Sequence, residues 1–159
     1  MKISIIGIGK LKEQYWVKAV EEYSKRLRNY VKLDIIELAD EKAPEKLSEA
    51  EENIIKKNEG ERILKNIKDG FYVVALAIEG KRLSSTEFSS FMGDLMVKGN
   101  GHIVFVIGGS LGLSDEVLGR SDFKLSFSDM TFPHQMMRVI LLEQIYRGFR
   151  IMKSEPYHK

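Results

Sequence analysis

Five short runs of β-branched and aromatic residues, Lys2–Ile8, Leu33–Leu38, Phe71–Ile78, His102–Ile107 and Phe123–Phe127, alternate along the chain with longer segments of helical periodicity. Strands that recur with a helix between each pair join as parallel neighbours, so the alternation predicts an α/β fold: a mostly parallel sheet with flanking helices. With 159 residues, 43% of them hydrophobic, the chain reads as a single domain spanning 1–159, large enough to bury a core without cross-links. It contains no linker, internal repeat or low-complexity stretch.

The helical segments carry their own signals. From Glu13 to Arg28, helical spacing places Tyr15, Trp16, Ala19, Val20, Tyr23 and Leu27 on one face, as a core-facing stripe. Ala43 to Ile67 is strongly charged, with Ile54, Ile55, Ile63, Leu64 and Ile67 as its apolar minority and Gly60 weakening it midway. Ser84 followed by Glu87 forms a capping box that opens a helix burying Phe88, Phe91, Met92 and Leu95. The last helix opens at Pro133, whose missing N–H costs nothing in a first turn. It presents Arg138, Arg147 and Arg150 together with Met136, Val139, Ile140, Leu142, Ile145, Tyr146, Phe149 and Met152. That apolar arc exceeds the stripe of about 100° that one core requires. A two-fold partner is the economical cover for its second side.

Composition excludes several classes of function. Without cysteine there is no disulfide and no thiolate metal site, and a reducing cytoplasm is the expected compartment. His102, His134 and His158 are scattered, so no metal is expected. The apolar start is too brief for a signal h-region, and Arg138, Glu143, Arg147 and Arg150 interrupt the most apolar helix, so a soluble protein that spans no membrane is expected. Charge is unevenly placed. Lys10 to Lys32 holds seven basic residues against three acidic, Glu37 to Glu61 nine acidic against four basic, and Arg138 to Lys159 five basic against two acidic. The two basic ends suit a phosphate backbone, and they equally suit ordinary solvated helix faces.

Three glycine turns compete as ligand cradles. Gly7-Ile8-Gly9 follows a strand like a dinucleotide fingerprint, but Lys12 stands where the third glycine belongs. Glu79-Gly80-Lys81-Arg82 reads as a turn ending an apolar strand, with strand-end backbone available to line a pocket. The third is stronger, because strand Ile103–Ile107 runs directly into Gly108-Gly109-Ser110-Leu111-Gly112. Open parallel sheets bind ligands beyond the carboxyl ends of their strands, and glycines there let backbone groups approach a flat ring. No Gly-Lys-Ser/Thr follows, so a non-phosphorylated nucleoside fits better than a phosphate. Gly109-Ser110-Leu111-Gly112 also lacks the frame of a serine-hydrolase nucleophile elbow. In the run Ser126–His134, small hydroxyls alternate with Phe127, Met130 and Phe132. Either Ser128 or Thr131 caps the following helix there, or the run lines a ligand site.

The VIGGSLGL turn, the run SFSDMTFPHQMMRVILLEQIYRGF, the terminal EPYHK and the opening KISIIGIGKLKEQYW together resemble the RlmH family, the ribosomal RNA large-subunit methyltransferases H of the SPOUT superfamily. The resemblance covers the whole chain. It implies an α/β fold with a deep C-terminal trefoil knot, a homodimer, and S-adenosyl-L-methionine-dependent methylation of N3 of a pseudouridine in 23S ribosomal RNA, acting on the 70S ribosome. It further implies that Leu76, Gly108 and the stretch Phe127, Ser128, Asp129, Met130, Thr131 and Phe132 line the cofactor pocket. A pseudouridine N3–H is a weak acid, so a base or a cation that stabilises the developing anion is needed. His158, Tyr157 and Arg147 are the catalytic candidates, with His134 behind them. The rival reading is a non-catalytic ribosome- or RNA-binding module of the same fold.

Overall fold

The computed structural model describes residues 1–159. Five strands, β1 (Lys2–Ile8), β2 (Lys32–Leu38), β3 (Tyr72–Arg82), β4 (His102–Ile107) and β5 (Phe123–Ser126), form one sheet in the order β2-β1-β4-β3-β5. Every pairing is parallel. The crossovers are α1 (Gln14–Leu27), α2 (Glu49–Leu64), α3 (Ser85–Val97) and α4 (Asp115–Arg120), and α5 (His134–Met152) ends the fold. Strand alternation divides the core. Ile3, Ile5, Ile103, Phe105 and Ile107 face α1, α3 and α5, whereas Ile6, Ile8, Val104 and Val106 face α2 and α4. Burial on both faces is why the central strands read as continuous apolar runs.

The strand expectations hold within a few residues, with one correction. Glu79-Gly80-Lys81-Arg82 is not a turn: β3 continues to Arg82, and its register against β5 shifts between Leu76 and Lys81. Gly80 lies so close to β5 that a Cβ there would meet the Lys124 carbonyl carbon at 2.7 Å. The charged helix opens at Glu49 rather than Ala43, because Ser48 and Glu51 form a reciprocal capping box. Gly60 is accommodated inside that helix because the Ser114 side chain takes the space a Cβ would fill. A short helix capped by Ser114, α4, stands where none was expected. The expected box at Ser84 and Glu87 does open α3, and Met92 is fully buried. Tyr15 departs from the stripe assigned to it and is exposed.

Past β5, at the sheet edge, the chain crosses the carboxyl ends of β3 and β4 and anchors α5 at the end of β1. Here Arg138, 1% exposed, donates to the carbonyls of Ile8 and Gly9 at 3.0 and 2.5 Å and pairs with Glu37 at 2.7 Å. Gly7 makes the space, since a Cβ there would lie 2.7 Å from the Arg138 Nε. The glycines of Gly7-Ile8-Gly9 therefore receive a side chain of the protein itself. α5 then packs between α1 and α3, which cover both flanks of its wide apolar arc. Its outward stripe carries Met136, Ile140, Glu143, Arg147 and Ile151, all half-buried. No helix is long and apolar enough to cross a membrane.

Candidate functional site

The carboxyl ends of β3, β4 and β5 open into a cavity of about 570 Å³. The switch in strand order puts it there: β4 leads into the Gly108–Leu113 turn, and the chain leaving β5 folds back over that turn. Gly108 is essential to the turn, because a Cβ on it would sit 2.8 Å from the Gly112 carbonyl carbon. Gly112 has φ +86, and its N–H closes the turn on the Gly109 carbonyl at 3.1 Å. The facing wall runs from Leu125 to Phe132, with Leu76 to Glu79 to one side and Met137 of α5 at the base. Ser128 accepts the Met130 N–H at 3.0 Å, and α5 has no side-chain cap, so Ser128 shapes the loop instead of capping the helix. The cavity has the size of a small-ligand site and a lining that mixes apolar side chains with polar groups and loop backbone.

Of the residues assigned to a cofactor pocket, Leu76, Gly108, Phe127, Ser128, Met130, Thr131 and Phe132 line this cavity. Asp129 does not; its carboxylate turns outward to Arg82 at 2.8 Å, in an exposed pair. Sequence reasoning missed two polar contributors, Lys56 of α2 and Asp115 of α4, whereas Glu79 belongs to the strand end that was offered as a pocket wall. His134 also lines the cavity. Burial, reinforced by the charge of Arg138, pushes its pKa below the ordinary histidine value, although Asp40 pulls it back.

The remaining candidates gather on the outward side of α5. Glu143 is their hub: it accepts from Arg147 Nε and Nη2 at 3.0 and 2.5 Å and from the Tyr157 hydroxyl at 3.1 Å. The Tyr157 ring lies under the Arg147 guanidinium at 4.7 Å, and Arg147 Nη1 is 3.3 Å from His158 Nδ1. Burial, then the bond to Glu143, pushes the Tyr157 phenol up to about 12, so near neutrality it is a donor. The Glu143 bond likewise raises Arg147 above its usual value. The tail is folded, not frayed. The chain reverses at Ser154, φ 53, the Glu155 N–H reaches the Arg150 carbonyl at 2.9 Å, and Arg150 holds the Pro156 carbonyl at 3.0 Å. This cluster does not reach the cavity. Ten residues separate Met137 from Arg147, about 15 Å along the helix axis.

A family model described as "Predicted SPOUT methyltransferase" matches residues 1–158. A protein named ribosomal RNA large subunit methyltransferase H from Alkaliphilus oremlandii is 64% identical over 159 residues, covering all of both chains. A protein of the same name from Clostridioides difficile is 63% identical over the same span. Among solved structures, a putative methyltransferase from Legionella pneumophila in complex with SAM shares the fold with a TM-score of 0.52 at 12% identity, over 96% of this chain and 66% of that one. A probable methylase family protein from Haemophilus influenzae gives 0.51 at 12% identity with the same coverage. The five-stranded parallel sheet, its glycine turn and the full-length match place the chain in the SPOUT methyltransferase family.

Proposed function

We propose that the chain methylates large-subunit ribosomal RNA using S-adenosyl-L-methionine, and more finely that it modifies N3 of a pseudouridine in 23S rRNA within the assembled 70S ribosome, as a cytoplasmic homodimer. The observation that carries the reading is the cavity between the Gly108–Leu113 turn and the Ser126–Phe132 loop. Full-length relatives named for that activity support the RNA substrate. The return of the chain from β5 across β3 and β4 is the path along which the deep trefoil knot forms in this reading.

The cavity fits the cofactor. Leu76, Phe127 and Phe132 offer apolar walls for an adenine, and the glycine turn offers backbone N–H and C=O groups to its edge. When bound, S-adenosylmethionine supplies an electrophilic methyl group on a sulfonium, and no metal is needed. The protein aligns the nucleophile with that methyl and handles the N3 proton. His158 is the proton acceptor in this reading, and Arg147 steadies a phosphate or the anionic base oxygen. In the single chain His158 Nδ1 is engaged by Arg147, so an anion that draws Arg147 away frees the basic nitrogen. Tyr157 holds Arg147 in place through its ring and through Glu143. Because the cluster and cavity lie apart in one protomer, the outward stripe of α5 pairs two chains, and the tail of one protomer serves the cavity of its partner.

Calorimetric titration with S-adenosylmethionine tests the reading. Saturable heat is expected, and no heat at millimolar cofactor leaves only a non-catalytic RNA-binding role.

A further inference from the structure

The chain beyond α5, residues 153–159, has no helix or strand to hold it, yet it carries Tyr157 and His158. A latch centred on Tyr30, a half-buried residue in the turn between α1 and β2, ties it to the rest of the molecule. The Tyr30 hydroxyl donates to Glu155 Oε2 at 2.5 Å and accepts from Arg150 Nη1 at 3.1 Å. Arg150 Nη1 also reaches Glu155 Oε2 at 2.7 Å, so phenol, guanidinium and carboxylate close a triangle. The other arm of Arg150 holds the carbonyl of Pro156, the residue before Tyr157. The bond to Glu155, opposed by the one from Arg150, raises the Tyr30 pKa above its usual value, and the phenol keeps the proton it donates.

The Tyr30 ring takes a second route toward the same residues. It stacks on Phe149 at 5.6 Å and meets Tyr146 edge-on at 5.9 Å, and Tyr146 meets the Tyr157 ring edge-on at 4.9 Å. The ring thus packs the end of α1 against α5, whereas the hydroxyl acts on the tail. We propose that Tyr30 is a positioning residue for methyl transfer: its hydroxyl latches Glu155 and Arg150 and so holds Tyr157 and His158 in the arrangement in which they meet the RNA. This rests on the reading of the tail as the part that handles the N3 proton. A loose tail must be ordered afresh at each encounter with substrate, and the entropy lost in that ordering adds to the barrier. None of the latch residues lines the cavity at the other end of α5, so cofactor binding is independent of them.

Tyr30→Phe keeps the ring contacts and removes the hydroxyl alone. The test is methyl transfer to ribosomes purified from cells lacking this protein, with kcat and KM separated at saturating S-adenosylmethionine, beside calorimetric binding of that cofactor. Tyr30→Phe is expected to lose about tenfold in kcat, the worth of one charge-assisted hydrogen bond, with cofactor affinity unchanged. Glu155→Ala should lose as much, and the double variant no more than either single one. Glu155→Gln, whose amide oxygen still accepts the phenol, should recover most of the rate. In NMR spectra the His158 ring signals should move to the positions of an unstructured tail in Tyr30→Phe and in Glu155→Ala. Additive losses, a kcat within about twofold of wild type, or a fall in cofactor affinity overturns the latch. Glu155→Ala changes only the tail and decides the matter if Tyr30→Phe does not fold. A wild-type protein that binds cofactor but methylates no ribosome overturns the catalytic reading of the tail. The latch is then judged on the His158 signals, and signals unmoved in both variants overturn it.

Discussion

The Arg138 guanidinium fills the end of β1, where Gly7 and Gly9 would otherwise suggest a ligand turn. Buried carbonyls that lose their donor pay the desolvation cost in full. Arg138→Ala, which strands the buried Ile8 and Gly9 carbonyls while Glu37 stays solvated, is expected to lose about 2–5 kcal/mol in chemical denaturation, the cost of two unsatisfied buried acceptors. Arg138→Lys should recover little, because an ammonium lacks the fork that reaches two carbonyls and a carboxylate together. A loss below about 1 kcal/mol for the alanine variant would contradict this anchoring role. Histidine burial makes stability depend on pH. His134 and His102 both have folded pKa values lowered, mainly by burial. The unfolded chain therefore takes up protons first as pH falls through about 6.5, and stability declines toward the lower folded values. His134→Gln should flatten this decline in denaturant titrations at neutral and mildly acidic pH, leaving the share of His102. An unchanged slope would remove His134 from the account.

Elements were legible where one physical signal dominated. Strands buried on both faces announce themselves as β-branched runs, and the Ser84-Glu87 box marked the start of α3. The same signature at Ser48 and Glu51 was masked by the charged residues on either side, so α2 was drawn too long. α4 has six residues, too few for periodicity to register, and β3 continued through a glycine that reads as a stop. The approach of α2 to α4 is a tertiary fact that Gly60 alone does not disclose. It has a consequence of defined sign. Gly60→Ala gains about 1 kcal/mol of helix propensity but pushes a methyl group into Ser114, which cannot yield without giving up its cap on α4. Overpacking of about 1–3 kcal/mol outweighs that gain, so the variant should unfold at lower denaturant. A more stable Gly60→Ala protein would show that α2 is free to move.

Across the whole molecule, the cavity at the strand ends was more legible than the chemistry proposed beside it. A glycine turn directly after a strand, followed by a hydroxyl- and aromatic-rich loop, marks the end of a parallel sheet, and seven of the eight residues assigned there line the cavity. Asp129 shows the limit, since only the fold reveals that Arg82 draws it outward. Glu59 reads in the sequence as one more solvated acid, and it is buried by contacts from segments far away in the chain. The distance between cavity and tail cluster was likewise invisible, and it makes the proposed dimer testable. Gly108→Val blocks the turn, and His158→Ala removes the proposed base while leaving cofactor binding intact, so each homodimer should be inactive. Mixed and reannealed, they should recover about a quarter of wild-type turnover, as half the dimers then carry one complete site. No recovery would mean that the tail acts on its own protomer. The most direct measurement is transfer of a labelled methyl group from S-adenosylmethionine to ribosomes purified from cells lacking this protein, with the label located by nuclease mapping. Label at N3 of a pseudouridine in 23S rRNA, in intact 70S particles, is the expected result; ribosomes that stay unlabelled while the protein binds its cofactor would contradict the account.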